Sequence, residues 1–286
     1  MIVPWGDVLA RRAPAAEALH APELTRTVKH QAAEQLAAEK PGAAPVSADA
    51  LAKAGLIDRA QRHSRISEEF RIIQSKLLRE AFGGNGVAAA ARGNLIVVTS
   101  ALPGEGKSFV TMNLAAGIAR QGDRRVLLID ADVKPDSLGQ IMGLSGAPGL
   151  FDLVRSGSHS IDDLIVPTTV EHLDILPPGT GAAESAELFA SKRMAELLEE
   201  LGQRYADRPI IFDSSPCLSS SNPHALAPWV GQIVVVVAAG STHQGDVEAA
   251  LDLVQNCPSV SLLLNKIAPW NLHSFGSYAY PLPSSA

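Results

Sequence analysis

"TSALPGEGKSFVTMNLA", residues 99–115, decides how the rest of the chain is read. It closes an apolar run, "NLIVVTS" (94–100), and opens a helical pattern, so a Gly-x-Gly-Lys-Ser sequence falls between a strand and a helix. In that context a short motif becomes a phosphate-binding loop. Glycines let the backbone approach phosphate oxygens, the amides turn inward, and the positive end of the helix points at the same spot. Pro103, Gly104, Glu105, Gly106, Lys107, Ser108 and Phe109 are then expected around the phosphates of a bound nucleotide, with Lys107 reaching the β and γ groups and the Ser108 hydroxyl ligating Mg²⁺. One position departs from the usual G-x-x-x-x-G-K-[ST] pattern: Ala101 stands where the first glycine is normally found.

Outward from this loop, apolar runs alternate with helical stretches. "RVLLID" (125–130), "HLDILPPG" (172–179), "PIIFD" (209–213), "IVVVVAA" (233–239) and "SLLLNK" (261–266) read as strands covered on both faces. Between them "KSFVTMNLAAGIARQG", with Gly122 as its C-cap, "SAELFASKRMAELLEELG" and "HQGDVEAALDLVQNC" read as helices. The alternation predicts an α/β P-loop NTPase fold, with a mostly parallel central sheet, helices on both faces and ligands at the C-terminal strand ends.

Two more strand ends carry carboxylates. "LLIDADVKPDS" places Asp130 and Asp132 two residues apart, on one side of a continuing strand, where they make a hard-cation and proton-accepting site. A solvated turn through Lys134, Pro135 and Asp136 fits the same residues. "PIIFDSSP" ends in Asp213, suited to holding Mg²⁺ directly or through water. With Lys107 and Ser108, three strand ends bear groups of one chemistry.

Upstream, residues 1–62 are Ala- and Pro-rich and read as a mobile segment, with "AAEKPGAAPVSADA" (37–50) as linker. Order is expected from "SRISEEFRIIQSKLLREAF" (64–82), where Ile66, Phe70, Ile73, Leu77 and Ala81 share one helical face and Ser67 suits the N-cap. The domain proper then runs over 63–270 and a flexible tail over 271–286. The tail holds Tyr278 and Tyr280, two of the chain's three tyrosines; Gly, Ser, Ala and Pro around them oppose folding, so a tail tyrosine can travel to an active site.

A net charge of −6 gives no support for nucleic-acid binding. The longest tempting apolar run, 233–239, falls far short of the ~20 residues a spanning helix needs. Cys217 and Cys257 lack metal or disulfide spacing and read as small buried residues. These features indicate a cytoplasmic protein that meets a membrane only through a partner.

On the motifs "ALPGEGKS", "LLIDADVKP" and "IIFDSSP", residues 64–280 resemble the bacterial tyrosine kinases, in particular the autokinases of exopolysaccharide and exosortase loci. That family shares the fold of the ParA and MinD ATPases and permits a small residue at the position of Ala101. The signature lysine of those ATPases, five positions before the loop lysine, is Leu102 here. A ParA- or MinD-like nucleotide switch is therefore the second reading.

The resemblance implies Lys107, Asp130 and Asp132 as catalytic residues, with Asp130 preferred over Asp132 as proton acceptor. It implies Ser108, Asp132 and Asp213 around Mg²⁺, Asn265 and Lys266 of "LLLNK" framing adenine, and Tyr278 and Tyr280 as autophosphorylation targets. A strand-end turn explains Asn265 and Lys266 nearly as well. The family's oligomerisation motif E-x-x-R-x-x-R is met by Glu68 and Arg71 but has Gln74 for its second arginine; a solvated intrahelical pair fits Glu68 and Arg71 equally. Expected partners are further copies of the chain and a separate membrane protein of the polysaccharide chain-length type, the function being control of exopolysaccharide export.

Overall fold

Val, Ile and Leu runs with no polar break can rest only where both faces are covered, and here they form the middle of one sheet. The structure, a computed structural model, describes residues 2–4, 44–57, 65–84, 88–156, 159–180 and 185–267. The strands are β1 (Ile2–Pro4), β2 (Leu95–Ser100), β3 (Val126–Ala131), β4 (Val166–Pro167), β5 (Leu173–Leu176), β6 (Ile210–Ser214), β7 (Gln232–Ala238) and β8 (Ser259–Asn265). Their order across the sheet is β1-β8-β7-β2-β6-β3-β5-β4. The six strands from β8 to β5 pair in parallel, and the short outer strands β1 and β4 pair antiparallel. The six apolar runs are thus the parallel strands, while β1 and β4 were not foreseen.

Alternate residues of each strand feed different cores. Leu95 and Val97 of β2 face α5 (Leu150–Ser156), α8 (Lys192–Arg204) and α10 (Gln244–Val254). Ile96 and Val98 face α2 (Arg65–Phe82) and α3 (Lys107–Ala119) on the other side. α3 has apolar residues all round and is buried accordingly, as a helix sandwiched between sheet and α2 must be. α2 buries Phe70, Ile73, Leu77 and Ala81 as the periodicity predicts, but Ile66 of the same face is exposed in its first turn; the helix begins at Arg65, so Ser67 also lies in that turn and is not the cap.

The linker reading of residues 37–50 is corrected over its described part. Ser47 caps a short helix, α1 (Ala48–Lys53), through its side chain, and Leu51 is fully buried in the core that also holds Phe70 and Val110. Val46 bridges to Thr168 next to β4, its amide donating to the Pro167 carbonyl at 2.9 Å. At the other end Asn113 of α3 donates to the Gly55 carbonyl and accepts from the Ile57 amide, both at 2.9 Å, and Arg120 donates to the Ile57 carbonyl. Residues 46–57 are therefore a strap laid over the core and tied to α3, and Ile2–Pro4 adds a strand. Composition misled because only Val46, Leu51 and Ala54 carry the burial of an otherwise small and polar segment. Tyr278, Tyr280 and the tail lie outside the described residues.

Candidate nucleotide site

The loop between β2 and α3 is shaped by two glycines in left-handed backbone, Gly104 at φ +81° and Gly106 at φ +94°. A Cβ on Gly106 would come within 2.3 Å of Asn265 Nδ2, so space as well as conformation demands glycine there. Ala101 is not among the residues with positive φ. It is fully buried in the core, and its carbonyl accepts the Leu218 amide at 3.2 Å. Ordinary backbone at this position explains why alanine serves.

Lys107, the first residue of α3, donates to Asp132 Oδ2 at 2.5 Å and to Ser108 Oγ at 3.2 Å. Asp132 also accepts from the Ser215 hydroxyl at 2.7 Å. Burial would raise its pKa, but the Lys107 charge and these hydrogen bonds hold it below the usual carboxylate range. Burial likewise opposes the Lys107 cation, yet the charges of Asp213 and Asp132 push its pKa up. The loop lysine is thus a firm cation on a firm anion.

Asp130 and Asp213 are direct partners across the β3–β6 ladder, which puts two carboxylates side by side in the sheet interior. Asp130 is fully buried; burial first and then the Asp213 charge raise its pKa to about 7. Its Oδ2 accepts from the Gly139 amide at 2.6 Å and its Oδ1 from the Asp132 amide at 3.1 Å, so it also shapes the turn after β3. Asp213 is raised to about 6 by burial, against the pull of Lys107. Its Oδ1 accepts from the Thr111 hydroxyl at 3.0 Å, while Oδ2 is buried and accepts no hydrogen bond among the described residues.

That orphaned oxygen fits a hard cation. No three acidic, histidine or cysteine side chains among the described residues form a metal cage. Such a donor set suits Mg²⁺, which takes one or two carboxylates and completes its octahedron with phosphate oxygens and water. Asp213, Asp132 and Ser108 are the residues that would hold it.

Most of the residues singled out in the sequence meet here. Pro103 to Ser108 form the loop, and Lys107, Ser108, Asp130, Asp132 and Asp213 converge at neighbouring strand ends. Phe109 does not: its ring packs on Phe70, centroids 6.2 Å apart, and against Gly55, leaving only its backbone at the loop. Asn265 is at the loop, but its amide nitrogen donates to the Glu105 carbonyl at 2.9 Å rather than standing free.

Glu68 and Arg71 pair at 2.8 Å on an exposed face. Gln74 is turned inward, receiving a bond from Gln121 at 2.9 Å, and a Cβ on Gly117 would overlap it at 1.9 Å. The site also uses Thr111 and Ser215, which motif reading passed over. Thr111 lies one turn after Lys107, the i+4 spacing that would have flagged it.

A left-handed glycine loop, its lysine and strand-end aspartates on a parallel sheet define a P-loop nucleotide-binding domain. The family model for the AAA domain matches residues 93–259. Tyrosine-protein kinase YwqD of Bacillus subtilis is 34% identical over 164 residues, which are 57% of this chain and 68% of YwqD. Tyrosine-protein kinase wzc of Salmonella typhimurium is 29% identical over 200 residues, 68% of this chain but 27% of that protein. The BceF tyrosine kinase domain superposes with a TM-score of 0.59 at 27% identity, covering 79% of this chain and 93% of that one. The chain belongs to the bacterial tyrosine-protein kinase family and carries its AAA domain. It spans about a quarter of the length of several curated relatives, 24% and 22% in two of them.

Proposed function

We propose that this protein transfers the γ-phosphoryl group of ATP to tyrosine, first to Tyr278 and Tyr280 of a neighbouring copy, and so regulates exopolysaccharide synthesis or export. The observation that carries this reading is the convergence of Lys107, Asp132, Asp213 and Asp130 on one loop at the C-terminal edge of the sheet. Phosphoryl transfer asks mainly for positioning and neutralised charge. Bound Mg²⁺ would supply charge neutralisation between the phosphates. Lys107, whose ammonium has a third N–H beyond those given to Asp132 and Ser108, and the loop amides hold phosphate oxygens, while Asp132, with Asp213 and Ser108, would hold the metal. A phenol of pKa ~10 keeps its proton at neutral pH, and Asp130, poised at about 7, is the acceptor for it. Asp130 must first release the Gly139 amide.

Copies assemble through the exposed face bearing Glu68 and Arg71, and the activator is a separate membrane protein of the chain-length-determinant type. No described helix is long and apolar enough to cross a membrane. Localisation in the cytoplasm, at the inner membrane through that partner, follows from this reading. Purified protein incubated with Mg-ATP and probed for phosphotyrosine tests it. Label that disappears in Lys107→Met, and in Tyr278→Phe combined with Tyr280→Phe, is the expected result. ATP hydrolysis without phosphotyrosine would overturn it in favour of a nucleotide switch.

A further inference from the structure

The phosphate loop is held from outside by the end of β8. Lys266 Nζ donates to the Gly104 carbonyl at 2.6 Å, and Asn265 Nδ2 to the Glu105 carbonyl at 2.9 Å. These are two consecutive peptide groups, both trans. In a planar trans peptide the carbonyl and the N–H point in opposite directions. Drawing the Gly104 and Glu105 oxygens towards β8 therefore turns the Glu105 and Gly106 amides the other way, into the loop. Among the described residues those two amides donate to no protein acceptor. Their direction is set by partners on the far side of the same peptides.

The anchor is rigid. Asn265 closes β8 opposite Ala238 of β7, and its own carbonyl accepts the Ala239 amide at 2.8 Å. Glu105, almost wholly buried, is fixed by the same strand end: its carboxylate accepts from the Ala238 amide at 3.2 Å, the Leu102 amide at 2.6 Å and the Thr242 hydroxyl. A negative side chain inside a phosphate loop is thereby kept out of the space where phosphate would sit. Lys266 itself holds a left-handed backbone, φ +57°, uncommon for a side-chain-bearing residue and sustained here where β8 ends.

We propose that Lys266 and Asn265 are positioning residues of the phosphate site, presetting the Glu105 and Gly106 amides to receive the phosphates of a nucleoside di- or triphosphate. Lys266 acts through the Gly104 carbonyl without touching the ligand, a second cation serving the loop from its outer side. The proposal rests on reading this loop as the nucleotide site. Because Lys266 is exposed at a strand end, its replacement leaves the cores untouched.

Calorimetric titration of the full chain with Mg-ADP, with Mg-pyrophosphate and with adenosine tests it. Lys266→Met is expected to weaken Mg-ADP and Mg-pyrophosphate by about tenfold, the effect of losing one charge-assisted hydrogen bond, and to leave adenosine unchanged. Lys266→Arg, which keeps a cationic donor, should restore both to within about threefold of the parent. Parent-like binding of both phosphates by Lys266→Met would overturn the proposal alone, as would equal losses for adenosine and Mg-ADP. Failure of the parent chain to bind either phosphate ligand would overturn it together with the nucleotide-site reading. Asn265→Leu gives an independent check: pyrophosphate carries no base, so a loss there reports the loop and not base contact.

Discussion

Gly106 and Ala101 share one loop and have opposite tolerances. Gly106 is left-handed and lies under Asn265; Ala101 has ordinary backbone inside the core. Gly106→Ala is therefore expected to weaken Mg-ADP binding tenfold or more, while Ala101→Gly changes it by less than about twofold and costs at most ~1 kcal/mol of stability. Calorimetry on the two variants, with a thermal melt of each, checks both. Residue identity alone reported the loop correctly, because Gly-x-Gly-Lys-Ser has few other uses between a strand and a helix. It could not report which way a side chain turns. Phe109 follows Ser108 yet packs on Phe70, and Gln74 replaces an arginine yet is drawn against the gap left by Gly117. Such choices depend on neighbours far away in the chain.

Among the elements, long apolar runs were legible and short pieces were not. β4 has two residues, and α4 (Leu138–Ile141) and α6 (Ile161–Leu164) have four each, too few to show a period. One of the unforeseen helices, α5, contributes to the rim of the site. Its Asp152 accepts from the Gly149 and Thr180 amides at 2.9 and 3.0 Å and from the Thr180 hydroxyl at 2.5 Å, fixing the turn that follows β5. That turn packs by Pro178 beside Gly139, the residue whose amide holds Asp130.

Burial opposes the Asp152 anion, but the Thr180 and Gly149 bonds outweigh it and lower the pKa. A depressed native pKa means the carboxylate stabilises the fold above its unfolded value near 4, and that contribution fades as pH falls through the lower, native value. Asp152→Asn should accordingly cost about 1–2 kcal/mol at pH 7 and progressively less below pH ~4. Denaturant melts of parent and variant across that range measure it. A constant difference at all pH values would refute the electrostatic account.

For the molecule as a whole, the boundary between leader and domain is not where composition placed it. A chain started at residue 63 would keep every parallel strand and the helices from α2 onward, yet lose α1 and leave the seat of Leu51 open to water. Leu51→Ala should destabilise the protein by ~2–5 kcal/mol, the usual cost of emptying a buried leucine site, visible as a lower melting temperature. Removal of residues 1–57 should do at least as much. If neither shifts the melt, the strap is not part of the folding unit.

The strap's two moorings stand at different places: Val46 at the β4 edge, Gly55 and Ile57 on the helix that starts with Lys107. A tug on the chain upstream of Val46 meets the sheet margin first. Once that seam parts, the load passes down α1 to Asn113 and Arg120. The helix bearing the loop lysine thus lies in series with whatever grips the leader, giving mechanical tension a short hydrogen-bonded route to the phosphate loop.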